Sequence, residues 1–260
     1  MRLIVDGTET FASTGGRAFD PKLPSIVFLH GAGLDHSVWA LLGRSFAHHG
    51  FSVLAPDLPG HGRSAGAALS SIAALADWTA ALIEAAGALA ARIVGHSMGS
   101  LVALETAARH PEKVDGLGLI ATAAALRVSD DLLNAAKADD HAAIDMVSIW
   151  GEGYRATLGG SPTPGLWMLG GAERLLERAR PGVLFADLSA CNEYRDALAS
   201  AAKVTVPSVV ILGGRDVMTP LKGGKTLAEA LPGSRLTVLE GAGHMLMTER
   251  PDDVLAALRR

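Results

Sequence analysis

Cysteine is nearly absent. Cys191 stands alone in 260 residues, which excludes an intramolecular disulfide and gives no support to a secreted, disulfide-stapled scaffold. No base or motif accompanies that thiol, so it reads as an inert buried residue. Positive charge is not in excess and lysine and arginine form no cluster. The net charge of −4 offers no basic face, so no nucleic-acid partner is expected. No apolar stretch is long enough to span a bilayer. The opening segment MRLIVDGTETFASTGG reads as a strand and a turn, not as a charged start followed by an apolar signal core. A cytoplasmic protein without membrane contact is the expectation. Repeats and low-complexity tracts are missing too. What is there is a hydrophobic fraction of 49%, too high for disorder and sufficient for one α/β domain carrying an insertion.

Short apolar runs at residues 25–29, 52–55, 91–94, 116–121, 207–212 and 235–239 alternate with helical segments. That alternation predicts a mostly parallel sheet with helices on both faces. Residues 3–5 and 10–13 predict an antiparallel edge hairpin instead. Between residues 122 and 187 the rhythm breaks into polar-faced helices around the Gly/Pro-rich stretch GGSPTPGLWMLGG. An insertion between core strands accounts for this, so the expected organisation is a core of residues 1–121 and 188–260 with a helical cap over 122–187.

A parallel sheet places its ligand site outside the carboxyl ends of the strands. The chain's unusual residues gather there: His30-Gly31-Ala32-Gly33, Asp57, Ser97, Asp216 and His244 each follow an apolar run. Ser97 sits in Gly95-His96-Ser97-Met98-Gly99, between the run 91–94 and the helical stretch SLVALETAAR, which His110-Pro111 stops. A strand turning sharply into a helix exposes a nucleophile on a strained backbone, and glycines two residues before and after it remove the side chains that would collide. With 30 glycines in the chain, the motif alone proves little; its strand and helix context gives it weight.

A serine hydroxyl is a poor nucleophile at neutral pH and needs a base. Of nine histidines, His244 follows an apolar run in the glycine-flanked loop GAGHMLMTERP and is the candidate. The imidazolium it would form needs a carboxylate to fix its tautomer and offset its charge. Asp216, after Gly213-Gly214-Arg215, follows the run 207–212. Its rival Asp57 precedes Ser97 and sits in PDLPGHGRS, where an aspartate pins a turn, and the strand tip ATAAAL holds no acid. His30, His61 and His96 read as structural hydrogen-bonding residues, and Trp39 as core.

With HGAG, DLPGHGRS, GHSMGS, GGRD and GAGH in this order, the chain resembles α/β-hydrolase-fold serine hydrolases of the small, lidded esterase and enol-lactonase type. The resemblance spans nearly the whole length except the cap, and it is specific for fold rather than substrate. It implies an oxyanion hole made by the backbone N–H groups of Ala32 and Met98, aided by the positive end of the helix that starts at the turn. It also implies cleavage of a carboxylic ester or lactone of a small, moderately apolar molecule, with no metal and no organic cofactor. Trp150, Tyr154, Trp167 and Met168 are the candidates for an apolar substrate pocket. The same triad serves carbon–carbon bond hydrolases, amidases and perhydrolases within this fold, and a non-catalytic small-ligand-binding protein is the reading from a different class. A serine at the nucleophile position argues against the related dehalogenases and epoxide hydrolases, which use an aspartate.

Overall fold

A computed structural model describes residues 1–160 and 165–259. Eight strands form one sheet in the order β1-β2-β4-β3-β5-β6-β7-β8. They are β1 Arg2–Val5, β2 Thr8–Ser13, β3 Ser25–Leu29, β4 Ser52–Pro56, β5 Ala91–His96, β6 Val114–Ile120, β7 Ser208–Gly213 and β8 Arg235–Leu239. β1 and β2 form the expected antiparallel edge, and β2 pairs antiparallel with β4. All pairings from β4 to β8 are parallel.

Burial explains the strand compositions. β3, β4 and β7 are buried along their whole length and read as unbroken apolar runs, as strands covered on both faces must. The edge strand β8 is half exposed and carries Arg235 and Thr237.

The helices are α1 Ala40–Ala47, α2 Ile72–Ala85, α3 Met98–Arg109, α4 Asp130–Lys137, α5 His141–Gly151, α6 Tyr154–Thr157, α7 Met168–Leu176, α8 Val183–Glu193, α9 Ala197–Ala201, α10 Leu221–Ala230, α11 Leu246–Glu249 and α12 Pro251–Arg259. Side-chain caps start several of them: Ser71 accepts from the Ala74 amide before α2, Ser129 from Leu132 before α4, and Asp140 from Ala142 before α5. One core cluster joins the sheet to α2, α3 and α10 and a second joins it to α1 and α12. Each large side chain fully buried there contributes about 1.5–3 kcal/mol. No helix among the described residues is long and apolar enough to cross a membrane.

Helices α4 to α9 all lie between β6 and β7. Leu132, Ala136 and Ala143 of α4 and α5 form a third, smaller cluster with Leu184 and Leu188 of α8. Further along α8, Ala190 and Cys191 belong to the core cluster of the α2/α3 face. This helix therefore runs unbroken across residues 187 and 188, with its first half in the small cluster and its second half in the large one. Ser161 to Pro164, in the Gly/Pro-rich stretch, lie outside the described residues.

The strand order reverses beside β3: the chain steps from β3 to β4 on one side and returns to β5 on the other. The helices that follow β3 and β5, α1 and α3, consequently pack on opposite faces. The loops leaving these two strands diverge and open a crevice at their carboxyl ends.

Candidate active site

Ser97 occupies the turn between β5 and α3 with φ 53° and ψ −118°, a backbone conformation that costs a non-glycine residue on the order of 1–3 kcal/mol. The surroundings hold it there. The Ser97 amide donates to the Ile120 carbonyl of the neighbouring strand at 3.0 Å. A Cβ on Gly95 would lie 1.9 Å from the Gly99 carbonyl oxygen, and one on Gly99 would lie 2.3 Å from that of Leu29. Both glycines are required by close approach of backbone to backbone. From Gly95 to Ser100 only Ser97 is partly exposed, so the turn presents this one residue.

His244 and Asp216 come from the loops after β8 and β7. The Nδ1–H of His244 donates to Asp216 Oδ2 at 2.8 Å. The other carboxylate oxygen, Oδ1, accepts the amides of Met218 at 2.9 Å and Thr219 at 2.8 Å, and the Thr219 hydroxyl donates to Oδ2. Burial pushes the Asp216 carboxyl up, but the adjacent His244 ring and the Thr219 donors together hold it below the ordinary carboxylate value. With Nδ1 committed to Asp216, Nε2 is the ring nitrogen left to accept a proton.

Ser97 and His244 line one cavity of about 230 Å³. Gly31, Ala32 and His96 line it from the sheet side. Leu126, Leu132, Val147, Leu176, Leu184 and Leu188 close it from the segment between β6 and β7. Ala32 and Met98, the two residues expected to supply oxyanion donors, have amides with no acceptor among the described residues. The neighbouring Gly33 amide is instead committed to Asp187 Oδ2 at 2.8 Å.

Of the four expected pocket residues only Trp150 lines the cavity. Tyr154 and Trp167 are 74% and 67% exposed, and Met168 is buried away from the cavity. The reason is where α5 ends. The Gly151 carbonyl accepts the amides of both His244 and Met245 at 3.0 Å, so the chain is tied down there, stays buried through Glu152 and Gly153, and reaches the surface at Tyr154. Trp167 packs over Gly170, where an added Cβ would lie 2.4 Å from its ring.

The histidines expected to be structural are fully engaged or packed. His30 donates from Nδ1 to the Gly31 carbonyl at 2.9 Å and accepts the Leu58 amide on Nε2 at 3.1 Å. His96 donates from Nε2 to the His244 carbonyl at 3.0 Å, which ties the residue before Ser97 to the loop that carries His244. Burial lowers the His30 pKa to about 4 and that of His96 to about 3, so both rings are neutral. Asp57 does pin a turn, accepting the His36 and Arg63 amides at 2.8 Å each. Burial raises the Cys191 thiol pKa far above neutrality, which keeps it un-ionised.

Residues 26–258 match the family described as the alpha/beta hydrolase family. The chain belongs to the alpha/beta hydrolase family. Among its curated relatives, the pimeloyl-[acyl-carrier protein] methyl ester esterase of Chromobacterium violaceum is 34% identical over 244 residues, covering 90% of this chain and 92% of the relative. The enzyme of the same name from Neisseria meningitidis serogroup B is 34% identical over 241 residues, 88% of each chain. Among solved structures, the enol-lactonase from Burkholderia xenovorans superposes with a TM-score of 0.89 at 25% identity, over 100% of this chain and 98% of that one. A thermophilic esterase gives a TM-score of 0.79 at 28% identity, over 100% and 95%. This alpha/beta hydrolase is an ester-hydrolysing enzyme.

Other residues of the site carried no sequence signal. Asp187 acts by accepting hydrogen bonds across long stretches of chain, and Thr219 by donating its hydroxyl to Asp216 three residues before it. Glu249 accepts the Gly243 amide at 3.1 Å on both oxygens, beside a second buried carboxyl, Glu152. Glutamates in helical segments ordinarily read as solvated, and only the fold brings these two together.

Proposed function

We propose that this enzyme cleaves a carboxylic ester or lactone of a small, moderately apolar molecule through an acyl-enzyme on Ser97. His244 Nε2 takes the Ser97 proton as Oγ attacks the carbonyl carbon, and Asp216 offsets the imidazolium charge. The amides of Ala32 and Met98 hold the negative oxygen of the tetrahedral intermediate, a contribution of about 3 kcal/mol per donor in such sites. The intermediate collapses, the ester bond breaks, and His244 returns its proton to the departing alcohol. A water then repeats the sequence on the acyl-enzyme and releases the carboxylic acid. Helices α4 to α8 act as a cap whose apolar side chains hold the substrate body and exclude water.

The observation that carries this reading is the strained Ser97 turn opening into the same cavity as His244, whose Nδ1 is bonded to Asp216. The esterase and enol-lactonase relatives support both ester and lactone substrates. A panel of p-nitrophenyl esters of graded chain length together with simple lactones tests the reading. Wild-type protein should turn over short esters and be labelled by a fluorophosphonate probe; Ser97→Ala should be folded, inactive and unlabelled. Turnover surviving that substitution would remove Ser97 as the nucleophile.

A further inference from the structure

The loop after β3 turns through Gly31, Ala32, Gly33 and Leu34, closed by the Leu34 amide on the Gly31 carbonyl at 3.2 Å. Its third residue, Gly33, has φ +68°, the signature of a type II turn. In such a turn the peptide joining the two central residues is the part that can flip without disturbing the flanking chain. Here that peptide carries the Gly33 N–H and the Ala32 carbonyl. The Gly33 N–H donates to Asp187 Oδ2 at 2.8 Å, across 154 residues of sequence. A flipped peptide would turn its carbonyl towards the carboxylate and be repelled, so Asp187 selects one orientation.

Asp187 is itself held. The same oxygen accepts the Nε2–H of His61 at 2.8 Å, while His61 Nδ1–H donates to the Pro59 carbonyl at 3.0 Å. Both acceptors are oxygens without hydrogen, so the ring carries both protons and is an imidazolium. Burial opposes that charge, but Asp187 outweighs it and raises the His61 pKa above the ordinary histidine value. His61 and Asp187 are 2% and 1% exposed, and a buried ion pair with each proton placed has few alternative geometries. The other titratable groups facing the pair are Asp57, which favours the imidazolium, the neutral His30 with its ring centroid 4.9 Å from that of His61, and the un-ionised Cys191.

From these contacts we infer that Asp187 and His61 are positioning residues for the oxyanion hole. By taking the Gly33 amide out of use and anchoring the turn to α8 in one geometry, their ion pair leaves the Ala32 amide as the donor this turn offers to the reacting carbonyl. The inference rests on the Ser97 reading and adds to it a coupling between the hole and the segment between β6 and β7. Asp187 lies on α8, and a Cβ on Gly33 would meet Leu184 and Leu176 of that segment at 2.9 and 3.0 Å. Among the described residues Asp187 makes no hydrogen bond to Ser97 or His244, so its proposed action on the reaction runs through the turn.

The test is Asp187→Asn, which keeps the volume and removes the charge. Turnover of p-nitrophenyl butyrate should fall on the order of 10²-fold in kcat, the scale expected for misplacement of a catalytic group by about 1 Å, while KM stays within about twofold. Affinity for a trifluoromethyl ketone, which adds to serine as a tetrahedral oxyanion, should fall in parallel, and binding of the carboxylic acid product should not. An unchanged kcat, or a loss of kcat without loss of ketone affinity in folded protein, overturns the inference. If Asp187→Asn does not fold, His61→Gln is read by the same criteria. Wild-type protein that fails to react with a fluorophosphonate overturns the Ser97 reading and this inference with it, an outcome visible before any variant is made.

Discussion

At the strand ends, every polar group facing the cavity is set by backbone or by a short hydrogen bond. Ser97 is fixed by two glycines and a strand carbonyl, and Asp216 by two amides and a hydroxyl. Across the cavity, the segment between β6 and β7 contributes leucine and valine side chains, of which Leu132, Leu184 and Leu188 are held by packing in its own small cluster. The first region tolerates no shift, because hydrogen bonds weaken steeply with angle and length. The second adapts, because dispersion and burial are non-directional. In the proposed reaction, chemistry therefore falls to the rigid side and substrate shape to the yielding one. Among the ties that join them are the Gly151 carbonyl on the His244 loop and Asp187 on the turn after β3.

The sharpest way to break this contrast is at the rigid side. Asp216→Asn preserves shape but favours the wrong histidine tautomer, and kcat for a p-nitrophenyl ester should fall by about 10⁴-fold with little change in melting temperature. A loss below tenfold would show that the strand-end carboxylate is not part of the proton path. Leu132→Ala probes the other side. Leu132 is buried, lines the cavity and belongs to the small cluster, so its truncation should cost about 2 kcal/mol of stability. The preferred acyl chain should lengthen, while kcat on the best ester changes less than tenfold. Calorimetry and the ester panel check both, and an unaltered chain-length profile would place the substrate elsewhere.

The smallest effect concerns the tie at Gly151. Burial and the neighbouring Glu249 raise the Glu152 carboxyl to about 8 from an ordinary 4.5, and its Oε2 has no partner among the described residues. The folded protein thus keeps a proton that the unfolded chain has released. Stability from this group is complete below 4.5 and is lost as pH rises from there to about 8. The buried His61 works in the same direction, since its raised value means that its contribution fades as pH rises through the folded-state pKa. Above about pH 6.5, where the buried neutral His30 and His96 no longer add a slope of the opposite sign, melting temperature should therefore fall towards alkaline pH. Glu152→Gln should flatten that dependence without abolishing it, because the His61 contribution remains. Parallel curves for the two proteins in melts across this pH range would rule out the buried carboxyl as a source of the slope.

Much of this was legible in the chain. Every expected strand is present within two residues of its expected bounds, since parallel strands buried on both faces must be apolar runs. The Ser97 turn and the loops carrying Asp216 and His244 were visible because tight backbone geometry demands glycine at fixed offsets. The cavity lining was far less legible. Aromatic residues drew attention to Tyr154 and Trp167, yet the lining includes leucines on helix faces, Leu132, Leu176, Leu184 and Leu188. A leucine facing the core and one facing a cavity have the same periodicity.

Local sequence determined the order of strands and helices, the strained turn at Ser97 and the placing of acid and base after β7 and β8, because each follows from burial or sterics within a few residues. Only the tertiary structure decided that Asp187, 154 residues from Gly33, would hold its amide. It alone also determined that Gly151 would anchor the His244 loop and that Trp150 would meet the cavity while Tyr154 and Trp167 stay exposed. Such contacts depend on where whole elements come to rest against one another, and a single hydrogen bond between distant residues imposes no pattern on the sequence around either partner.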